Sequence, residues 1–111
     1  MRTVTIAQLA LVSFVVAGSC PVSAQEIGDA VKGAAYAEAQ CAECHALAHN
    51  ADRSPVADAP PFRAIANTSG MTRTALKVFF RTPHPTMPNL LIPADQQDNL
   101  IAYIMGLKIP R

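Results

Sequence analysis

The stretch Cys41-Ala42-Glu43-Cys44-His45 decides how the rest of this chain is interpreted. It follows the pattern C-x-x-C-H, in which a histidine comes directly after the second of two closely spaced thiols. On a helical turn this spacing brings both thiols and the imidazole to the same side of the chain. Each thiol can add to one vinyl group of a haem, and the imidazole can then reach the iron. The stretch therefore predicts one haem c, attached through Cys41 and Cys44, with His45 as an iron ligand.

Two other chemistries use a C-x-x-C pair and have to be weighed against haem attachment. A zinc site needs a second pair of Cys or His ligands. The only other cysteine is Cys20, and His49 and His84 do not form such a pair. A thioredoxin-like dithiol would lie in βαβ patterning, and none is visible around the motif. The sequence favours haem over both.

The N-terminus has the pattern of an export signal. Arg2 supplies a positive charge, residues 4–17 form an apolar run, and small residues at 22–24 resemble a cleavage site. The run is shorter than the roughly 20 apolar residues that a membrane span needs. We therefore expect a signal peptide over residues 1–24 and a periplasmic location. An uncleaved anchor, or lipidation at Cys20, are the alternatives.

Residues 25–111 are expected to form one domain. Of the nine Lys and Arg residues, Arg2 leaves with the leader, so eight basic residues balance the eight acidic ones. There is no lysine-rich run or basic stripe, so we expect no nucleic-acid partner and only weak steering by net charge. A domain this small has a modest core, and a covalently held haem would give it a large apolar centre.

Hydrophobic periodicity predicts an all-α domain of three main helices, with a further short helical turn at the haem motif. We expect the helices over about residues 27–40, 72–82 and 93–106. Residues 46–70 are rich in Pro, Asn and Asp, and we expect them to be mostly irregular because they would wrap the haem.

The same periodicity predicts which helix positions are buried. The first helix would bury Ile27, Ala30 or Val31, Ala34 and Ala37. The second would be capped by Thr72 or Ser69, would bury Leu76, Phe79 and Phe80, and would end at Pro83. The third would begin at Pro93 and bury Leu100, Ile101, Ile104 and Leu107, joined by Tyr103.

The segment Pro83-His84-Pro85-Thr86-Met87-Pro88-Asn89 is the candidate source of a second iron ligand. Its three prolines fix φ and remove backbone donors, so the loop should be stiff. A thioether ligand favours ferrous iron and raises the reduction potential. We expect Met87 to be that ligand, although methionines more often fill cores. His84 is the competitor, while His49 is too close in sequence to His45 to reach the opposite haem face.

Taken together, these residues resemble the class I monohaem cytochromes c, of the small bacterial periplasmic type. The likeness covers the whole mature domain, from Gly33-Ala34-Ala35-Tyr36 before the haem motif to Leu100-Ile101-Ala102-Tyr103-Ile104 at the end. It implies a small cytochrome c fold of three or four helices wrapped around one covalently bound haem. It also implies that Gly33, as the small residue of the first helix, lets Tyr103 of the last helix pack closely.

Ala59-Pro60-Pro61-Phe62 resembles the family's Gly-Pro-x-Leu segment. The resemblance implies that the Pro60 carbonyl accepts a hydrogen bond from the second ring nitrogen of His45. Ala59 departs from the family glycine, and the alternative is that the two prolines only stiffen the loop. The lysine ring of mitochondrial members and their tryptophan are both absent, so mitochondrial partners are not implied. Arg53, Arg63 and Arg73 are candidate partners for the haem propionates.

The function implied is electron transfer without enzymatic activity. We expect a monomer that meets transient redox partners, with a dehydrogenase or respiratory complex as donor and an oxidase or reductase as acceptor. No membrane span is expected after the signal is cleaved. One alternative is a haem subunit docked permanently on a dehydrogenase or oxidase. The other is a gas-binding or peroxidase-like protein with a labile sixth ligand, against which the stiff loop at Met87 argues.

Overall fold

The computed structural model describes residues 27–82, 87–88 and 91–110. This part of the chain contains four helices and no strand: α1 Ala30–Gln40, α2 Phe62–Asn67, α3 Arg73–Phe79 and α4 Ala94–Gly106. The predicted all-α class is therefore confirmed. The predicted leader over residues 1–24 lies outside the described residues, as do Pro83 and His84.

Helix α1 begins at Ala30, three residues later than predicted, because Asp29 caps it. The Asp29 carboxylate accepts from the backbone N–H groups of Val31 and Lys32, at 2.9 and 3.2 Å. The predicted buried face was partly wrong, since Ile27 is 66% exposed and Val31 80% exposed. The residues that α1 buries fully are small ones, Gly33 and Ala37.

Small residues are buried on α1 because α4 crosses it at very short range. A Cβ atom added to Gly33 would lie 2.0 Å from the backbone oxygen of Asn99 and 2.9 Å from the Cβ of Tyr103. The side chain of Asn99 also accepts a hydrogen bond from the Asp29 N–H at 2.8 Å. The predicted close approach of Gly33 and Tyr103 is confirmed, and glycine is the one residue that permits it.

Helix α2 was not predicted and is a correction to the expected irregular stretch. Residues 46–61 are irregular as expected, but Phe62–Asn67 form a helix that buries Phe62 and Ala66. Pro61 occupies its N-cap position with φ −56°, a value that proline adopts readily. Six residues are too few to show a helical period in the sequence.

Helix α3 is shorter than predicted and buries less. Its N-cap is Thr72, whose hydroxyl accepts from the Ala75 N–H at 3.1 Å. Of the two predicted caps, Thr72 and Ser69, the helix therefore uses Thr72. It ends at Phe79, several residues ahead of Pro83. Leu76 is buried and Phe80 packs against the core, but Phe79 is 53% exposed, so the predicted face was wrong at that position.

Helix α4 matches its prediction most closely. Pro93 is its N-cap, and the predicted stripe of Leu100, Ile101, Ile104 and Leu107 is buried in one core with residues of the other helices. The chain end is fastened by Asn67, which donates to the Leu107 carbonyl at 3.2 Å and accepts from the Ile109 N–H. Among the described residues, no helix has the length and apolar character that crossing a membrane requires.

Candidate haem-binding site

The haem motif is a turn that continues directly from α1. The Cys41 N–H donates to the Ala37 carbonyl at 2.7 Å, and the His45 N–H donates to the Cys41 carbonyl at 2.8 Å. These bonds hold both thiols and the imidazole within one tight turn. Cys41 is buried and Cys44 half-buried, and both are free cysteines.

Cys41 lies in an apolar setting. It belongs to the same buried cluster as Ala37 and Phe62. Burial raises the pKa of the Cys41 thiol, and the electrostatic interaction with neighbouring Cys44 raises it further. An apolar porphyrin edge suits this surrounding better than a charged metal–thiolate cluster does. The described residues also contain no grouping of three or more His, Cys, Asp or Glu side chains that could hold a metal ion.

The His45 ring is fixed by the backbone of the proline-rich loop. Its Nδ1 lies 2.7 Å from the carbonyl oxygen of Pro60. Because a carbonyl oxygen can only accept, Nδ1 must carry the proton, and the lone pair of a neutral ring then sits on Nε2. The contact implied by the Pro60 resemblance is present although Ala59 replaces the family glycine. It selects the tautomer that an iron ligand requires and increases the basicity of Nε2.

The ring of Phe62 packs against the ring of His45, a contact that the sequence did not predict. Its ring centroid lies 5.3 Å from that of His45 at an interplanar angle of 51°. Tyr103 follows at 6.4 Å from Phe62, and its hydroxyl donates to the Leu47 carbonyl at 2.8 Å. Burial raises the pKa of Tyr103, and the nearby Glu38 carboxylate adds to the shift. The signal for Phe62 was an aromatic residue directly after the two prolines.

Backbone bonds fasten the intervening loop to the motif. The Phe62 N–H donates to the Ala46 carbonyl at 2.9 Å, and the Val56 N–H donates to the Cys44 carbonyl at 3.2 Å. The Ala46 N–H in turn donates to the Ser54 hydroxyl at 3.0 Å. The loop that carries Pro60 is therefore held at several points, which keeps its carbonyl in place against His45.

The three arginines proposed for the propionates have different surroundings. Arg63 pairs with Asp52 at 2.8 Å across the loop. Arg73 donates to the Ile27 carbonyl, at the opposite end of α1 from the haem motif. Arg53 is exposed. The described contacts thus give Arg63 and Arg73 structural partners, and they single out none of the three for a propionate.

Met87 is half-buried, and the segment beyond it returns to the core at Ile92, which is buried. Positions 83–86 and 89–90, which include the competing His84, lie outside the described residues. Ligation by Met87 therefore stays a prediction. The donors that are described, two free thiols and an imidazole with an available Nε2, fit a haem c.

An all-α domain with a C-x-x-C-H turn and a backbone-anchored histidine has the features of a haem c protein. A curated relative, the cytochrome c-552 of Bradyrhizobium diazoefficiens, is 34% identical over 80 residues, covering 72% of this chain and 76% of the relative. No family model and no solved structure matches the chain. At this identity and coverage, the chain belongs to the class I c-type cytochromes, which carry electrons on covalently bound haem.

Proposed function

We propose that this protein carries one electron on a single haem c, held by thioethers from Cys41 and Cys44, with His45 and Met87 as axial ligands. The observation that carries the proposal is the 2.7 Å contact between His45 Nδ1 and the Pro60 carbonyl. It leaves Nε2 as the ring atom available to iron, next to two thiols with the spacing that haem attachment needs. The cytochrome c-552 relative supports the same reading.

When bound, the haem supplies an iron that alternates between the ferric and ferrous states. Residues of the chain would limit how much the site reorganises between these states. Pro60 holds the rotation of the His45 ring by hydrogen bonding, and Phe62 packs against that ring. A thioether from Met87, on a proline-rich segment, would favour the ferrous state and fill the sixth position. A site that reorganises little suits electron transfer and leaves no position for a substrate.

The proposed setting is the periplasm, after export by the leader over residues 1–24. The proposed partners are redox proteins, a dehydrogenase or respiratory complex as donor and an oxidase or reductase as acceptor. The near balance of acidic and basic residues supports brief encounters that depend little on net charge. Weak redox complexes typically bury small interfaces.

A carbon monoxide titration tests the sixth ligand. The mature holoprotein, made in a host that attaches haem c, is reduced, and its spectrum is compared with and without carbon monoxide. We expect no change in the native protein, because Met87 would fill the sixth position on the iron. The Met87→Leu variant should bind carbon monoxide and have a lower reduction potential. Met105→Leu is the matched control, because Met105 is also half-buried but packs on the core from α4.

A carbon monoxide adduct in the native protein would contradict the carrier proposal. It would point instead to a gas-binding or peroxidase-like protein with a labile sixth ligand. An unchanged Met87→Leu spectrum would show that another residue, such as His84, is the ligand.

A haem subunit docked permanently on a dehydrogenase or oxidase is the second candidate. One observation favours it: Val78 and Phe79 are neighbours on α3 and are 58% and 53% exposed. Purification of the native protein at low detergent and low salt distinguishes a free carrier from a permanently docked subunit. A carrier elutes as a small monomer, and a docked subunit elutes with the activity of its enzyme.

A further inference from the structure

Gln97 is the polar side chain that α4 buries, at 8% exposure. Its Nε2 donates to the Ile92 carbonyl at 2.8 Å. Because that carbonyl can only accept, the orientation of the amide is fixed and Oε1 faces the other way. Among the described residues no donor reaches the buried Oε1. A buried acceptor without a partner is costly, so packing alone does not explain a glutamine here.

Ile92 is the point where the chain beyond Met87 enters the core. Its side chain is 7% exposed, whereas Leu91 before it is 95% exposed and Pro93 after it is also exposed. At Ile92, a buried side chain and a held carbonyl attach the chain to the body of the protein. The carbonyl of Ile92 is held by the hydrogen bond from Gln97, and Ile92 is only five residues beyond Met87.

We propose that Gln97 is a positioning residue for Met87. By holding the Ile92 carbonyl, its amide N–H keeps the ligand segment seated against the core and sets how firmly the thioether stays on the iron. The inference rests on the proposed ligation by Met87. Loss of the bond would free one end of the segment, so competing ligands would reach the sixth position more easily while haem attachment through the motif persisted.

A purely structural role makes a different prediction. Gln97 lies in the first turns of α4, and its bond to Ile92 could serve only to start that helix. Its loss would then lower the unfolding midpoint and leave the iron ligation as it was. Stability and ligation must therefore be measured on the same variants.

Cyanide is the probe, because it binds ferric iron only when the sixth ligand leaves. We compare Gln97→Met with Gln96→Met in the full holoprotein. Gln96 is the matched control, since it is half-buried on the same helix and its amide contacts Asp95 rather than Ile92. Gln97→Met should bind cyanide about tenfold more tightly than native protein, the size of effect expected when one buried hydrogen bond is lost. Gln96→Met should match the native protein.

In Gln97→Glu, lowering the pH should restore the hydrogen bond to the Ile92 carbonyl. A protonated carboxyl can donate to the Ile92 carbonyl, but a carboxylate cannot. Asp95 and Asp98 are the acidic residues of α4 close to Gln97 in sequence, and Asp98 pairs with Lys77 at 3.0 Å; the same acidic residues lie close in sequence to Gln96→Glu. Cyanide affinity of Gln97→Glu should be near native at about pH 5 and raised at about pH 8, because burial raises the pKa of a carboxyl above its usual range. Gln96→Glu should show no such difference.

The outcomes separate the two proposals. Native cyanide affinity in Gln97→Met, with or without a lower unfolding midpoint, would overturn the positioning role. If Gln97→Met fails to fold, the pH dependence of Gln97→Glu decides, and a flat profile overturns the role. If Met87→Leu itself binds cyanide no more tightly than native protein, the ligation proposal fails first. The absorption band of ferric iron bonded to a thioether, measured in native protein, identifies that case independently.

Discussion

The two regions proposed to supply the iron ligands are held in different ways. On the histidine side, residues 41–62 are tied together by the bond between His45 and Pro60, by backbone bonds from Val56 and Phe62, and by the packing of Phe62. On the methionine side, the segment beyond Met87 is attached at Ile92 and by its bond from Gln97. One proposed ligand lies within a short, densely bonded stretch, and the other depends on a bond from the helix that follows it.

This difference predicts which of the two proposed ligands should be displaced first. Displacement of a ligand requires the opening of whatever holds it, and a densely bonded stretch opens only at a high free energy. The histidine side should therefore persist while the methionine side is exchanged by competing ligands or mild denaturant. Substitutions on each side test this difference.

Replacing both motif thiols removes the basis of the histidine side. The double variant Cys41→Ser with Cys44→Ser should lose covalent haem completely, because no thiol remains to form a thioether. Haem staining after a denaturing gel measures this directly. Cys20→Ser is the control and should retain haem, since Cys20 lies in the predicted leader. Retained covalent haem in the double variant would contradict the assigned attachment.

Filling the crossing of α1 and α4 should weaken both sides together. In Gly33→Ala the new Cβ would lie 2.0 Å from the Asn99 backbone oxygen, so the helices must separate. We expect a loss of about 3 kcal/mol in the free energy of unfolding, at the upper end for overpacking. Denaturant titration with haem absorbance as the signal measures it.

Gly106→Ala is the matched control for that change. Gly106 is also helical, but nothing lies within 4 Å of an added Cβ. Alanine there should be neutral or stabilise the protein by up to about 1 kcal/mol. Equal effects at the two glycines would mean that the close crossing does not limit stability.

The sequence was informative where a short pattern carries the chemistry. The haem turn, the likeness at Pro60 and the stripe of α4 were all visible, because each is local or strictly periodic. The predicted face of α1 was right at Ala37 and wrong at Ile27 and Val31, because α1 meets α4 through small residues that have no strong hydropathy. Helix α2 was too short to show a period. Gln97 is buried because it bonds to the Ile92 carbonyl in the segment before α4. The sequence contains no pattern that predicts the course of that segment.

The smallest expected effect concerns the bond by which α4 reaches the histidine side. Tyr103 donates to the Leu47 carbonyl at 2.8 Å, and burial with the nearby Glu38 charge raises its pKa. Tyr103→Phe should lower the free energy of unfolding by about 1 kcal/mol at neutral pH, the net value of one hydrogen bond. Chemical denaturation of holoprotein at several pH values measures both this loss and its pH dependence.

The sign of the alkaline dependence follows from the direction of that shift. The folded protein holds the Tyr103 proton more tightly than the unfolded chain, whose phenol has a pKa of about 10. The contribution of Tyr103 is therefore complete below that pH and declines as the pH rises through the folded pKa. Tyr103→Phe should show a shallower alkaline decline than the native protein. Tyr36, whose pKa burial also raises, is unchanged in the variant and accounts for part of the decline that remains. An identical slope in both proteins would mean that the folded protein does not hold the Tyr103 proton more tightly than the unfolded chain.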